Sequence, residues 1–140
     1  MEIKEVIRFA FDNDEEIFKY FDPNFPNVKN LDDLVENIYE KIVSHEHIFE
    51  TKFVNLKYGY FFYVVSPRLL ISFGVNVNYR MPYLLDSFWS EIKKELGDKF
   101  CCFLWEKNKR AIKWLEKNGM KIDKKNKYQL NNHKIIKLCH

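Results

Sequence analysis

Apolar residues in this chain follow two rhythms, three-and-four spacing in some stretches and strict alternation in others. Leu31, Leu34, Val35, Ile38 and Ile42 recur at helical steps, which predicts an amphipathic helix over residues 31–44. From residue 48 the pattern changes. IFETKFV, KYGYFFYVV and RLLISFGVNVNYR are rich in aromatic and β-branched types and read as three strands. In the last of them Leu69, Ile71, Phe73, Val75 and Val77 alternate with Leu70, Ser72, Gly74, Asn76 and Asn78, giving one strongly apolar face. The junction Val65-Ser66-Pro67-Arg68 is short enough for a hairpin turn, so these strands begin an antiparallel sheet.

Pro82 suits the first turn of a helix whose buried stripe is Leu85, Phe88, Trp89, Ile92 and Leu96, and Gly97 ends it. Phe100 to Trp105 is a continuous apolar strand between two helices, which calls for burial on both faces and a parallel neighbour. Asn108 caps a further helix that turns Ala111, Ile112 and Leu115 inward and stops at Asn118-Gly119. MKID then reads as a strand, and KYQL-NN-HKIIKL as a closing hairpin with Asn131-Asn132 at its turn. At the other end, EIKEVIRFA over residues 2–10 reads as a first strand. Asn13 with Glu16 three residues on reads as the start of a helix through Phe21, and the Pro-containing stretch Asp22 to Asn27 cannot propagate it. The expected order is β-α-α-β-β-β-α-β-α-β-β, a mixed α/β sheet with helices on both faces.

A length of 140 residues matches one domain, 1–140, able to bury a core without disulfides or metal. The 46% hydrophobic content excludes a disordered chain, and no apolar run approaches the roughly 20 residues of a membrane helix. Met1 opens on Glu2, Lys4 and Glu5 rather than a basic and then apolar stretch, so the expected compartment is the cytoplasm. Cys101, Cys102 and Cys139 are odd in number and two are adjacent, which fits reduced thiols packed as small hydrophobes.

Charge is uneven along the chain. Residues 1–50 carry thirteen acids and five bases, whereas residues 107–137 carry eleven bases and two acids. A basic face for phosphates is one reading, and acidic N-terminal helices beside a basic C-terminal half is the preferred one. Nineteen of the 23 bases are Lys, which argues against nucleic acid as a partner. His45 and His47 would converge on one ion if they lay on a strand, but no third and fourth ligand follows at zinc-like spacing, so no metal is expected. Hydrolase and NTPase motifs of the Gly-x-Ser-x-Gly or Walker type are absent from the sequence.

The element order, together with the segment Asn108-Lys109-Arg110-Ala111-Ile112-Lys113-Trp114-Leu115-Glu116-Lys117-Asn118-Gly119-Met120 and the strand ISFGVNVNYR, resembles the GNAT superfamily of acetyl-CoA-dependent N-acyltransferases. The resemblance covers nearly the whole chain. It implies a GNAT-like fold, acetyl-CoA as the cofactor of an active member, and Val75, Val77, Arg80, Asn108 and Ala111 on the cofactor side. It also implies thioester binding by backbone N–H groups at the Val75–Asn78 strand end. Glu106 is then the residue placed to take the amine proton and Tyr79 the one placed to protonate the leaving thiolate.

The family's pyrophosphate arm reads Gln or Arg, two residues, Gly, one residue, Gly or Ala; its small residues let phosphates reach main-chain amides. Here the matching stretch is Arg80-Met81-Pro82-Tyr83-Leu84-Leu85, in which Tyr83 and Leu85 are bulky and Pro82 lacks an amide hydrogen. The arm is therefore eroded, and the expected function is a non-catalytic binding or assembly protein without a cofactor. The alternative is an N-acetyltransferase acting from acetyl-CoA on an amine. The compact, lysine- and asparagine-rich chain is also similar to GNAT-like proteins of tailed phages, some of them virion-associated, which implies host cytoplasm or virion as its location. Tyr58, Tyr60, Phe61, Phe62 and Tyr63 with Tyr79, Tyr83, Phe88 and Trp89 exceed what one small sheet must bury, which favours a protein partner or self-assembly.

Overall fold

The computed structural model describes residues 2–20, 28–125, 127–130 and 133–140. Its strands are β1 Thr51–Leu56, β2 Gly59–Val64, β3 Leu69–Val75, β4 Cys101–Trp105, β5 Lys121–Ile122, β6 Tyr128–Leu130 and β7 His133–Cys139. They form one sheet in the order β1-β2-β3-β4-β7-β5, with β6 also paired to β7. Helices α1 Ile3–Phe11 and α2 Leu31–Glu46 pack on one face, α3 Pro82–Leu96 and α4 Lys109–Lys117 on the other. This is the mixed α/β architecture that the sequence pattern predicts.

Every residue of β2 is buried, and its alternation builds two cores at once. Tyr60, Phe62 and Val64 meet Val6, Ile7, Ala10, Leu34, Ile38 and Ile42 on one side. Phe61 and Tyr63 meet Phe88, Ile92, Leu96 and Leu115 on the other. Most of the aromatic surplus is thereby internal: Tyr60, Phe61, Phe62 and Phe88 are fully buried, and Tyr83 alone of the nine singled out is largely exposed, at 65%. Gly74 lets α1 lie close on β3, because a Cβ there would stand 2.9 Å from the Phe11 ring and 3.0 Å from the Tyr60 ring.

The N-terminal elements differ from the expected ones. Residues 2–10 are not a strand. Val6, Ile7, Ala10 and Phe11 are all buried on one side of α1, a three-and-four spacing that outweighs the β-branched residues, and the Glu2 amide donates to the Glu5 carboxylate at 3.2 Å. No α-helix begins at Asn13, which has φ +62°, a left-handed turn that reverses the chain; only a short 3-10 helix follows, at Ile17–Tyr20. Phe21, the Asp22–Asn27 stretch and the Asn131-Asn132 turn lie outside the described residues.

The cysteine expectation is also overturned. Cys101 and Cys139 are disulfide-bonded, and only Cys102 is a free thiol. The two face each other directly across the antiparallel β4–β7 pair. The flanking His140 amide bonds the Phe100 carbonyl, so Cys101 and Cys139 occupy the closer, non-hydrogen-bonded position. Cys102 points to the opposite face, which is why the adjacent thiols do not compete. β4 does have its parallel neighbour, β3, but only Cys102 within it is fully buried. Among the described residues, no helix is long and apolar enough to cross a membrane.

Candidate active site

β3 and β4 pair only at Leu69–Cys101 and Leu70–Cys102. Immediately beyond, β3 bulges: Phe62 faces Ser72 while Tyr63 faces Leu70, leaving Ile71 as the extra residue. A bulge bends and twists its strand. The two parallel strands share no ladder beyond it, and the unpaired stretch between them, from Leu70–Cys102 to the strand ends at Val75 and Trp105, is the wedge. The Tyr60 hydroxyl on the Ser72 hydroxyl, at 2.8 Å, satisfies the buried phenol beside the bulge.

Each rim of the wedge carries residues picked out from the sequence. On the β3 rim, Val75 is buried at the strand end and Val77 and Tyr79 lie in a 3-10 turn, Val77–Tyr79, rather than in an extended strand running to Arg80. The turn forms because Asn76 caps it, accepting the Asn78 amide on Oδ1 at 3.0 Å, while the Tyr79 amide reaches the Asn76 carbonyl at 2.8 Å. The Tyr79 ring packs 6.0 Å from Phe9. On the β4 rim, Glu106 is half-buried and fixed through its amide to the Lys134 carbonyl at 2.9 Å. Asn108 caps α4 by accepting the Ala111 amide at 3.3 Å.

The mouth itself is polar. Asp14 and Asn76 are the buried polar side chains among the described residues, and both stand here. Asn76 donates its side-chain amide to the Phe9 carbonyl, tying the end of α1 to the end of β3. Asp14, its side chain 2% exposed, accepts from Arg80 at 2.7 Å and from Arg110 at 3.0 Å. Arg80 also donates Nε to the Val75 carbonyl at 3.0 Å, and Arg110 reaches Glu16 at 3.4 Å and lies over the Tyr20 ring at 4.7 Å. Sequence reasoning missed Asp14. It sits in a run of acids, Asp14-Glu15-Glu16, with nothing local to distinguish it.

Main-chain donors along the arm are few. Within residues 76–85 the amides of Asn76, Asn78, Tyr79, Arg80, Leu84 and Leu85 all bond within the protein, the last two to the Met81 carbonyl. Among the described residues, those of Val77, Met81 and Tyr83 have no such partner. The Tyr83 hydroxyl folds back onto Met81 Sδ at 3.2 Å. On the α3/α4 face, Trp114 lies 5.7 Å from Phe73 and 5.8 Å from Phe88, so the wedge has an aromatic floor.

His45 and His47 lie at the end of α2, not on a strand, so a two-residue step points them apart; His45 Nδ1 is 2.7 Å from the Lys41 carbonyl. Among the described residues no group of three or more His, Cys, Asp or Glu gathers as a metal site.

The architecture has close counterparts among solved structures. The microcin C7 self-immunity acetyltransferase MccE, solved with acetyl-CoA and AMP, superposes with a TM-score of 0.58 at 13% identity, covering 98% of this chain and 86% of that one. The PaiA N-acetyltransferase from Thermoplasma acidophilum, solved with coenzyme A, gives 0.53 at 14% identity over 96% of this chain and 88% of that one. The ribosomal L7/L12 α-N-protein acetyltransferase RimL, solved with coenzyme A, gives 0.53 at 8% identity over 98% and 87%. The fold is that of the GNAT acetyltransferases. No protein-family model matches the sequence, and no curated protein matches it. The GNAT fold is thus shared as geometry, with little identity left in the residues that build it.

Proposed function

We propose that this protein is an N-acetyltransferase that moves an acetyl group from acetyl-CoA to an amine. The observation that carries the reading is the wedge: a parallel strand pair that stops after two residue pairs, beside a bulge, in a GNAT fold. An acyl transfer needs the thioester carbonyl held against a donor while an amine approaches from the other side. The open Val77 amide at the β3 rim supplies that donor. The amine nitrogen attacks the thioester carbon, a C–N bond forms and the C–S bond breaks. The ammonium proton passes to Glu106 and the thiolate takes a proton from Tyr79. Met81 and Tyr83 offer amides to the pyrophosphate, with Asn108 and Ala111 opening the helix on the opposite rim.

A second reading, a non-catalytic binding or assembly protein of the cytoplasm or of a virion, draws support from the arm. Pro82 contributes no amide, the Tyr83 side chain lies back across Met81, and Trp114 fills the floor on the helix side.

A thermal-shift titration separates the two. A ligand present at a hundred times its Kd stabilises the folded state by about 2.7 kcal/mol. The transferase reading expects millimolar acetyl-CoA to raise the melting temperature and free thiol to be released when an amine is added. An unchanged melting temperature, with no thiol released, sinks it in favour of the binding protein.

A further inference from the structure

The two rims of the wedge share no strand pairing above Leu70–Cys102, yet they are joined. Arg80 follows the β3 rim and Arg110 stands in the first turn of α4 on the β4 rim; the group that meets both is the Asp14 carboxylate, delivered by a third segment that follows α1. The three charges are unequal in exposure. Asp14 is 2% exposed, whereas Arg80 and Arg110 are 22% and 32% exposed, so the acid is held at the centre and the guanidiniums reach it from either side. Without that charge two cations face each other across the mouth, and nothing in the β3–β4 ladder opposes their separation.

We propose that Asp14 is a positioning residue that fixes the spacing of the wedge mouth through Arg80 and Arg110, and so the placement of the thioester between the rims. The role rests on the acetyl-transfer reading and deepens it. Asp14 takes no part in proton transfer, because its oxygens are occupied by the two guanidiniums. Its effect falls on the chemical step more than on affinity, since Asp14 meets the arm only at its first residue, Arg80, and the amides of Met81 and Tyr83 that would hold the phosphates lie beyond it.

The experiment measures steady-state transfer by the unaltered chain, Asp14→Ala and Arg110→Gln, each with and without formate. A misplacement of about 1 Å is enough to cost roughly a hundredfold in rate. Asp14→Ala is therefore expected to lose about a hundredfold in kcat, with the KM for acetyl-CoA moving less than about threefold. Formate, which restores a carboxylate between the arginines, is expected to recover at least about tenfold of that loss in Asp14→Ala and to do nothing for the unaltered chain. Arg110→Gln keeps the Asp14–Arg80 half of the bridge. It serves if Asp14→Ala does not fold, and is expected to show the same kcat-selective loss at about tenfold. A KM-selective loss, or a kcat loss that formate leaves untouched, overturns the proposal. Turnover by the unaltered chain with normal kcat in both variants overturns it while leaving the transferase reading intact. No acetyl-CoA binding or turnover by the unaltered chain overturns both.

Discussion

The two ends of the β3–β4 wedge are built on opposite principles. At the closed end Leu70, Cys102, Ile92, Leu96 and Leu138 are fully buried, and the Cys101–Cys139 bond crosses the next strand pair. At the open end both buried polar side chains, Asp14 and Asn76, bond groups from three separate segments. Burial of apolar surface is non-directional and tolerates small shifts, whereas charge-assisted hydrogen bonds fix distance and angle. The closed end therefore holds the molecule together, and the open end sets a geometry. Stability and function should separate along the wedge.

The largest effect expected is at the closed end. Leu70→Ala removes a fully buried side chain from the point where the strands part, and should cost about 4 kcal/mol in a denaturant titration, within the range for buried leucines. A loss under about 1 kcal/mol would mean that this end repacks and that the contrast with the mouth is false.

Next is the disulfide. Cys139→Ser, or a dithiol reductant on the unaltered chain, is expected to lower stability by about 3 kcal/mol, the middle of the usual range for losing a disulfide, here one between residues 38 apart. Thiol counting in denaturant should find one free thiol, Cys102, before reduction and three after. Three before reduction would break the assignment.

A different contrast, local against long-range, explains what was legible in the sequence. Elements at either end of the wedge announce themselves locally: alternation in β3, Pro82 at the start of α3, the Asn108 cap and the Asn118-Gly119 stop, with Gly119 at φ +96°. Each is decided by neighbours a few residues away. α1 was legible too, in the spacing of Val6, Ile7, Ala10 and Phe11, but nine residues with β-branched members also fit a strand. The Cys101–Cys139 pairing depends on the register of β4 against β7, and the mouth on contacts spanning 66 and 96 residues between Asp14 and its arginines. Neither leaves a local pattern. Of the residues named for chemistry beforehand, Glu106, Tyr79, Arg80 and Asn108 flank the wedge because element ends place them there. The group that joins the rims could be found only once the fold brought them together.

A smaller effect is expected at the mouth. Arg110→Gln removes one half-exposed cation while Asp14 keeps Arg80, so stability should fall by about 1 kcal/mol, well below the closed-end changes. A loss as large as that from Leu70→Ala would show the mouth to be a pillar of the fold. Tyr83→Ala, at a 65%-exposed ring, should leave stability unchanged and strengthen acetyl-CoA binding by uncovering the arm. Unchanged affinity would show that the ring does not cover the path.

The smallest effect sharpens the comparison by titrating the closed end. Burial pushes the Cys102 thiol from its ordinary 9.0 up to about 12. The folded state thus keeps a proton that the unfolded chain gives up near pH 9, so the unfolded state binds fewer protons and stability falls as pH rises from about 9 toward 12. At pH 9 the unfolded thiol is half ionised, a loss of about 0.4 kcal/mol relative to pH 7.5, growing toward 1.4 kcal/mol per unit above it. Tyr63, pushed up to about 12 by burial and by its hydrogen bond to Glu95, adds a second decline that starts only near pH 10. Comparing urea titrations of the unaltered chain and Cys102→Ala at pH 7.5 and 9 isolates the thiol, because the substitution removes its slope and leaves the tyrosine's. Equal slopes in the two proteins would mean that the thiol is solvated at this end of the wedge. The division between an apolar vertex and a polar mouth would then fail at the residue that pairs with Leu70.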